Sequence, residues 1–158
     1  MIAKLKKLLA GRQGREADIT ADAETLKLAS AALLMEAACM DGHADAGEIA
    51  TVTALLGEHF ELDADEASEL AEAGRAAVAQ SVELYGFTRT IKDSFNHDDR
   101  VRMIEMLWQV AYADGILHDF EANLVRRVSG LIYVPDRESG EARKRVLERL
   151  DLTSPDVS

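Results

Sequence analysis

The stretches that decide the predicted fold are MEAACMDGHADAGEIATV, residues 35–52, and WQVAYADGILHDFEANLV, residues 108–125. When one is shifted by 73 positions, the two align on a shared pattern, Asp-Gly-x-x-(Asp/His)-x-x-Glu. The fifth position of the pattern is Asp45 in the first copy and His118 in the second. The match includes loop residues and the apolar positions on both sides of the loop. An internal duplication therefore explains it better than chance does.

The composition around these stretches predicts an all-α fold. Ala and Leu, which favour helices, dominate the apolar residues, whereas aromatic residues make up only 5% of the chain. The two prolines, Pro135 and Pro155, interrupt no long periodic segment. We therefore expect about seven helices, with two pseudo-repeated helix–loop–helix units packed as one bundle-like domain.

The helix boundaries are predicted from capping residues. The first long helix is expected from about Ala21 to Met40, with Thr20 as its N-cap, and its largely apolar surface predicts that it is central and buried. Asp41-Gly42 and Asp114-Gly115 are each predicted to end a helix, because Gly favours the position just past a helix C-terminus. The helices that follow are expected to begin at Asp45 with Glu48, Asp63 with Glu66, Asn96, His118 or Asp119, and Pro135 or Asp136.

The net charge of −11 restricts the partners that the chain can bind. The first fifteen residues contain five basic residues and no acidic one, so residues 16–158 carry a formal charge of −16. Such a body repels phosphate backbones, which argues against nucleic-acid binding and favours cations or a basic protein partner. Nothing in the sequence determines the oligomeric state.

The chain is predicted to contain three segments: a basic amphipathic leader at residues 1–19, a helical domain at 20–150 and a flexible tail at 151–158. In one interpretation of the leader, residues 1–15 dock on a membrane surface or on a partner. In the other, which we favour, they form a short helix that packs on the domain or frays in solvent. A single cysteine, Cys39, allows no intrachain disulfide, and no apolar run has transmembrane length. A cytoplasmic location is therefore expected.

The carboxylates of the two loops are the candidate functional residues. An Asp at a helix C-terminus opposes the helix dipole by ~0.3–1 kcal/mol, and this cost occurs twice in register. A bound Ca²⁺ or Mg²⁺ would remove the conflict, because both ions prefer carboxylate oxygens. If pseudo-symmetry brings the loops together, the metal ligands are Asp41, Glu48, Asp114 and Glu121, with Asp45, His118 and Glu36 as secondary candidates. In the alternative interpretation these residues are only helix caps and turn residues.

At residues 37–49 and 111–121 the sequence resembles the TerB family, named for tellurite-resistance proteins. The second stretch carries the family's Ala-Asp-Gly signature, whereas the first has Met40 where Ala is usual. The resemblance covers roughly residues 20–150 and implies an all-α fold of about seven helices. It also implies an acidic site proposed to chelate metal, carried onto the same four loop carboxylates. A similar domain forms the N-terminal part of the co-chaperone DjlA, but the His-Pro-Asp motif of a J-domain is absent from this sequence.

The leading hypothesis is a non-enzymatic TerB-like domain of stress-response type. It would bind a divalent cation, a basic partner or both through its acidic loops, alone or in a membrane-associated assembly. A second hypothesis is a metal-dependent hydrolase that uses the same loops, although no nucleophile or general base stands apart from the candidate ligands. A third is a pure scaffold without a ligand. The four histidines lack zinc-site spacing, and no phosphate-binding loop is present.

Overall fold

The structure is a computed structural model that describes residues 15–39, 46–80, 85–113, 115 and 117–152. Within these ranges the chain forms seven α-helices and no strand, which confirms the predicted all-α fold class. The helices are α1 Arg15–Ala38, α2 Ala46–Phe60, α3 Ala64–Gln80, α4 Tyr85–Ser94, α5 His97–Ala111, α6 Asp119–Leu131 and α7 Asp136–Arg149.

Helix α1 is the centre of the domain, as its apolar surface predicts. It packs against α2, α3, α4 and α5, and most extensively against α3. Its buried residues are Ala29 to Met35 together with Ala37 and Ala38, and this run includes every face of the helix. Because most of these side chains are small, neighbouring helices can approach α1 closely on several sides.

The contact between α1 and α3 is made by backbone approach. Gly74 of α3 lies so close to Ala31 that a Cβ atom at position 74 would stand 2.7 Å from the Ala31 carbonyl carbon. No side chain fits at that distance without movement of one helix. Gly74 is therefore required by the close approach of the two helices rather than by backbone conformation.

The helix starts agree with the predicted caps. Asp63 and Glu66 form a reciprocal capping box, in which the Glu66 N–H donates to Asp63 Oδ1 at 2.8 Å and the Asp63 N–H donates to Glu66 Oε1 at 3.1 Å. Asn96 Oδ1 accepts from the Asp99 N–H at 2.9 Å and caps α5. Asp45, the predicted cap of α2, lies outside the described residues.

The ends of α1 were predicted less well. Helix α1 begins at Arg15, so Thr20 lies inside it and is not its N-cap. Residues 15–38 contain neither Gly nor Pro, and nothing in their sequence interrupts the helix. Helix α1 ends at Ala38 and α5 ends at Ala111, each three residues before the Asp-Gly pair that was expected to end it.

Three helices end in a turn whose left-handed residue is not glycine. The positive φ angles are 54° at Glu61, 61° at Tyr133 and 56° at Asp151. In each case the next residue donates its N–H to a carbonyl five positions back, as from Leu62 to Gly57 at 2.9 Å. This is the Schellman arrangement, and its following residues, Leu62, Val134 and Leu152, pack against the hydrophobic core.

The segments α1–α3 and α5–α7 have related organisation. In each, the first helix packs against the second and third, and most extensively against the third. The loop bounds also coincide under the shift of 73 positions, since Ala38 corresponds to Ala111 and Ala46 to Asp119. The superposition of the two units stays a prediction. Most of the predicted leader, at residues 1–14, and most of the predicted tail, at 153–158, lie outside the described residues.

Candidate functional site

The second helix of each unit begins with a buried glutamate. Glu48 is the third residue of α2 and is 8% exposed, and Glu121 is the third residue of α6 and is 4% exposed. Both precede an apolar position that is fully buried, Val52 and Val125. The two predicted metal ligands that the structure describes therefore occupy equivalent, buried positions.

Glu121 has a defined structural role. Its Oε1 accepts a hydrogen bond from the His118 N–H at 3.2 Å, and His118 has the extended backbone of an N-cap. A carboxylate at this position also interacts favourably with the positive end of the helix dipole. The His118 ring stacks on the partly exposed ring of Phe120 with 5.4 Å between ring centroids. Capping thus accounts for one contact of Glu121, as the ligand-free interpretation expects.

The remaining loop candidates cannot be placed. Asp41, Asp45 and Asp114 lie outside the described residues, so the convergence of the four carboxylates remains a prediction. Each Asp-Gly pair starts at the third residue after a helix ends, and the effect of a helix dipole on a charge falls off beyond the last turn. Gly115, with φ of 85°, donates its N–H to the Tyr112 carbonyl at 2.8 Å and forms part of the turn after α5.

The polar pair Glu36 and Gln109 is aligned in the sequence but differs in the contacts that the structure gives. Both side chains are half-buried. The side-chain amide oxygen of Gln109, Oε1, accepts from Arg149 Nη1 of α7 at 2.8 Å. Gln109 is thus part of the interface between α5 and α7.

Sequence reasoning missed an ionic group at that interface, centred on one buried carboxylate, which we name the arginine cluster. It consists of Glu105, which is 6% exposed, and the guanidinium groups of Arg102, Arg145 and Arg149. Arg102 Nη1 donates to Glu105 Oε2 at 2.9 Å and Arg145 Nε donates to Oε1 at 2.8 Å. Arg149 Nη2 also donates to Oε2.

The ionisation of Glu105 is determined by two opposed effects. Burial disfavours the charged form and by itself raises the pKa of the carboxyl. The hydrogen bonds from Arg149 and Arg145, together with their positive charge, outweigh burial and hold the pKa of Glu105 below its ordinary value. The signal in the sequence is a Glu between Ile104 and Met106, two buried apolar residues.

A second polar network joins α5 to α7 beside the arginine cluster. The indole N–H of Trp108 donates to the Ser139 carbonyl oxygen at 3.1 Å and to Ser139 Oγ at 3.2 Å. Arg143 Nε donates to the Tyr112 hydroxyl at 2.7 Å, and its guanidinium lies 5.5 Å from the centroid of the Trp108 ring. Trp108 is a core residue whose single polar atom is satisfied by these hydrogen bonds.

Comparison with known families identifies the fold. The family model for Tellurite resistance protein TerB matches residues 27–144, from within α1 to within α7. The chain belongs to the TerB family. Neither the comparison with curated proteins nor that with solved structures found a match. The matched range includes all the described helices at least in part, and residues 27–144 are a TerB domain of the tellurite-resistance type.

Membership in the TerB family supports the non-enzymatic interpretation at the level of the family, whose members are generally non-enzymatic. Within the described ranges, no three His, Cys, Asp or Glu residues form a group that could hold a metal ion. That finding does not include the three loop aspartates, and a complete acidic site requires them. In the part of the chain that the structure describes, no helix is both long enough and apolar enough to cross a membrane.

Proposed function

We propose that this TerB domain is a non-catalytic stress-response module that binds a divalent cation, a basic protein partner or both. The binding residues are the loop carboxylates Asp41, Glu48, Asp114 and Glu121. The observation that carries the proposal is the burial of Glu48 and Glu121 at equivalent positions, each directly after one of the two acidic loops.

The choice of Glu at both positions is informative. In a capping box, Gln serves as well as Glu, because either side chain can accept the N–H of the N-cap residue. Burial favours Gln, since taking a carboxylate out of water costs free energy. The chain nevertheless has Glu at both positions, although its body is already strongly negative. A nearby cation or basic group would stabilise two buried carboxylates and two loop aspartates at once.

Calcium or magnesium suits these ligands best. Both ions take oxygen ligands, and carboxylates are the usual protein ligands of Ca²⁺. A basic side chain from a partner protein could occupy the same position by charge complementarity. No feature of the described residues favours hydrolysis.

The test is a calorimetric titration of the full chain with Ca²⁺ and with Mg²⁺, combined with thermal unfolding. Wild type is expected to bind and to unfold at a higher temperature with the ion, because a ligand of the folded state stabilises it by mass action. Asp114→Asn and Glu121→Gln are each expected to abolish that rise. Glu121→Gln keeps the hydrogen-bond acceptor for the His118 N–H, so its unfolding without metal should change little.

The matched control is Glu66→Gln, which makes the same change in the exposed capping box of α3, away from an Asp-Gly loop. It is expected to leave cation binding unchanged. If wild type gives no heat with either ion, the cation part of the proposal is rejected. The partner part is tested by titration with an oligolysine peptide. Binding that persists in Asp114→Asn and Glu121→Gln would contradict it.

A further inference from the structure

The arginine cluster carries more positive charge than its buried carboxylate neutralises. Three guanidinium groups surround Glu105 alone, which leaves two surplus charges. Glu58 reduces the surplus to one when it pairs with Arg102, but its side chain is 75% exposed and the ion pair is 3.8 Å long. One arginine would be enough to compensate Glu105 and join α5 to α7. The surplus therefore exceeds what the helix interface needs, in a chain whose net charge is −11.

The cluster also holds its guanidinium groups in a fixed arrangement. Glu105 accepts from all three arginines, and Arg149 donates in addition to Gln109. Arg145 uses only Nε for Glu105, and among the described residues its two terminal amino groups have no hydrogen-bond acceptor. About half of the Arg145 side chain is exposed. A ligand would therefore meet oriented donors whose side-chain entropy has already been lost on folding.

From this geometry we propose that the arginine cluster is a binding site for a phosphate group. A phosphate monoester carries about −1.5 to −2 charges at pH 7, which matches a surplus of one to two positive charges better than a single carboxylate does. The guanidinium edge forms paired hydrogen bonds with phosphate oxygens. We expect a small ligand. The field of the cluster extends only about 8 Å in physiological salt, and beyond that distance the negative charge of the rest of the chain would repel a polyanion such as nucleic acid.

The inference is independent of the acidic loops and is tested on the full chain with inorganic phosphate. Calorimetric titration at constant ionic strength, with chloride as the balancing anion, should show saturable binding. Arg145→Gln removes the outward-facing donors and is expected to raise the Kd about tenfold, the usual effect of losing a charge-assisted hydrogen bond. Glu58→Gln removes the competing carboxylate and is expected to lower the Kd by about twofold to fivefold.

The matched control is Arg75→Gln on α3, where Arg75 is about as exposed as Arg145 and pairs with Glu72 at 3.9 Å. It removes the same charge at a distance from the cluster and should leave the Kd unchanged. If Arg145→Gln unfolds the domain, Glu58→Gln still tests the proposal, since Glu58 is exposed. Absence of saturable phosphate binding by wild type, or an Arg75→Gln effect equal to that of Arg145→Gln, would overturn the proposal.

Vesicles identify the source of the phosphate group. Retention on phosphatidic acid vesicles but not on phosphatidylcholine vesicles, lost in Arg145→Gln and kept in Arg75→Gln, would indicate a lipid headgroup. Binding of inorganic phosphate without vesicle retention would indicate a soluble ligand. Both outcomes support phosphate recognition by the cluster.

Discussion

The units α1–α3 and α5–α7 share an order of contacts but join their first and third helices by different means. Helix α1 meets α3 through small residues, with Gly74 against the backbone at Ala31. Helix α5 meets α7 through a buried carboxylate, three arginines and the indole of Trp108. One interface depends on how closely two backbones approach, and the other on satisfied polar groups. A repeated topology therefore does not require a repeated chemistry.

The largest expected effect concerns Trp108 in the polar interface. Trp108→Ala should lower the free energy of unfolding by about 3–5 kcal/mol, the usual cost of removing a buried aromatic side chain. Trp108→Phe keeps most of the apolar bulk but removes the hydrogen bonds that the indole N–H donates to Ser139, which should cost about 0.5–1.5 kcal/mol. Urea denaturation measures both values.

Met35 provides the control in the unit α1–α3, because it is aligned with Trp108 under the shift of 73 positions and is also buried. Met35→Leu conserves apolar volume and should cost less than about 1.5 kcal/mol. If Trp108→Phe is as stable as wild type, the hydrogen bond to Ser139 contributes nothing, and the two interfaces differ less than the structure indicates.

Glycine to alanine substitutions should have opposite signs in the third helices of the two units. Gly74→Ala places a methyl group against the backbone at Ala31 and should destabilise the domain by about 1–3 kcal/mol, although alanine is the better helix former. Gly140→Ala in α7 meets no atom within 4 Å and should stabilise by about 0.5–1 kcal/mol. Thermal unfolding at one protein concentration compares them. If both substitutions stabilise the domain, α1 and α3 can move apart at position 74 without a loss of stability.

The smallest expected effect is the pH dependence contributed by Glu105. Because its pKa is lowered in the folded state, its ionised form stabilises the fold above the ordinary pKa of 4.5, and that contribution is lost as the pH falls through the lower, folded value. At neutral pH, Glu105→Gln should be less stable than wild type by about 1 kcal/mol. The difference should shrink as the pH falls below 4.5.

Denaturant unfolding across this pH range provides the measurement, and Glu141→Gln on the exposed side of α7 is the reference. A difference between wild type and Glu105→Gln that stays constant with pH would mean that the arginines do not favour the charged form. Comparison of Glu105→Gln with Glu141→Gln separates the pH-dependent contribution of Glu105 to stability from that of the many other carboxylates.

The features that were predictable from the sequence are those encoded by nearby residues. The Asp63–Glu66 capping box, the Asn96 cap and the burial of α1 all depend on residues within a few turns of one another. The fold class and the starts of α3, α5, α6 and α7 followed from such signals, whereas the start of α1 did not. The resemblance named the TerB family, and the family match over residues 27–144 confirms that family.

The features that were missed depend on contacts between distant residues. Glu105 meets arginines 40 and 44 positions away, and helical periodicity alone cannot pair them. The ends of α1 and α5 were placed too late, since the helices end at Ala38 and Ala111, three residues before each Asp-Gly pair. The site prediction depended partly on that placement, and the metal-binding role of all four carboxylates stays a prediction.

The three left-handed turns at Glu61, Tyr133 and Asp151 have a consequence for folding. Without glycine, none of these turns is favoured by the local chain, and a side chain in this conformation carries strain of about 1–2 kcal/mol. The compensation comes from Leu62, Val134 and Leu152, which reach the hydrophobic core only after other helices have assembled it. In an isolated peptide, α2, α6 and α7 would therefore have no defined C-terminal boundary. Where these helices stop is a property of the assembled domain rather than of each helix.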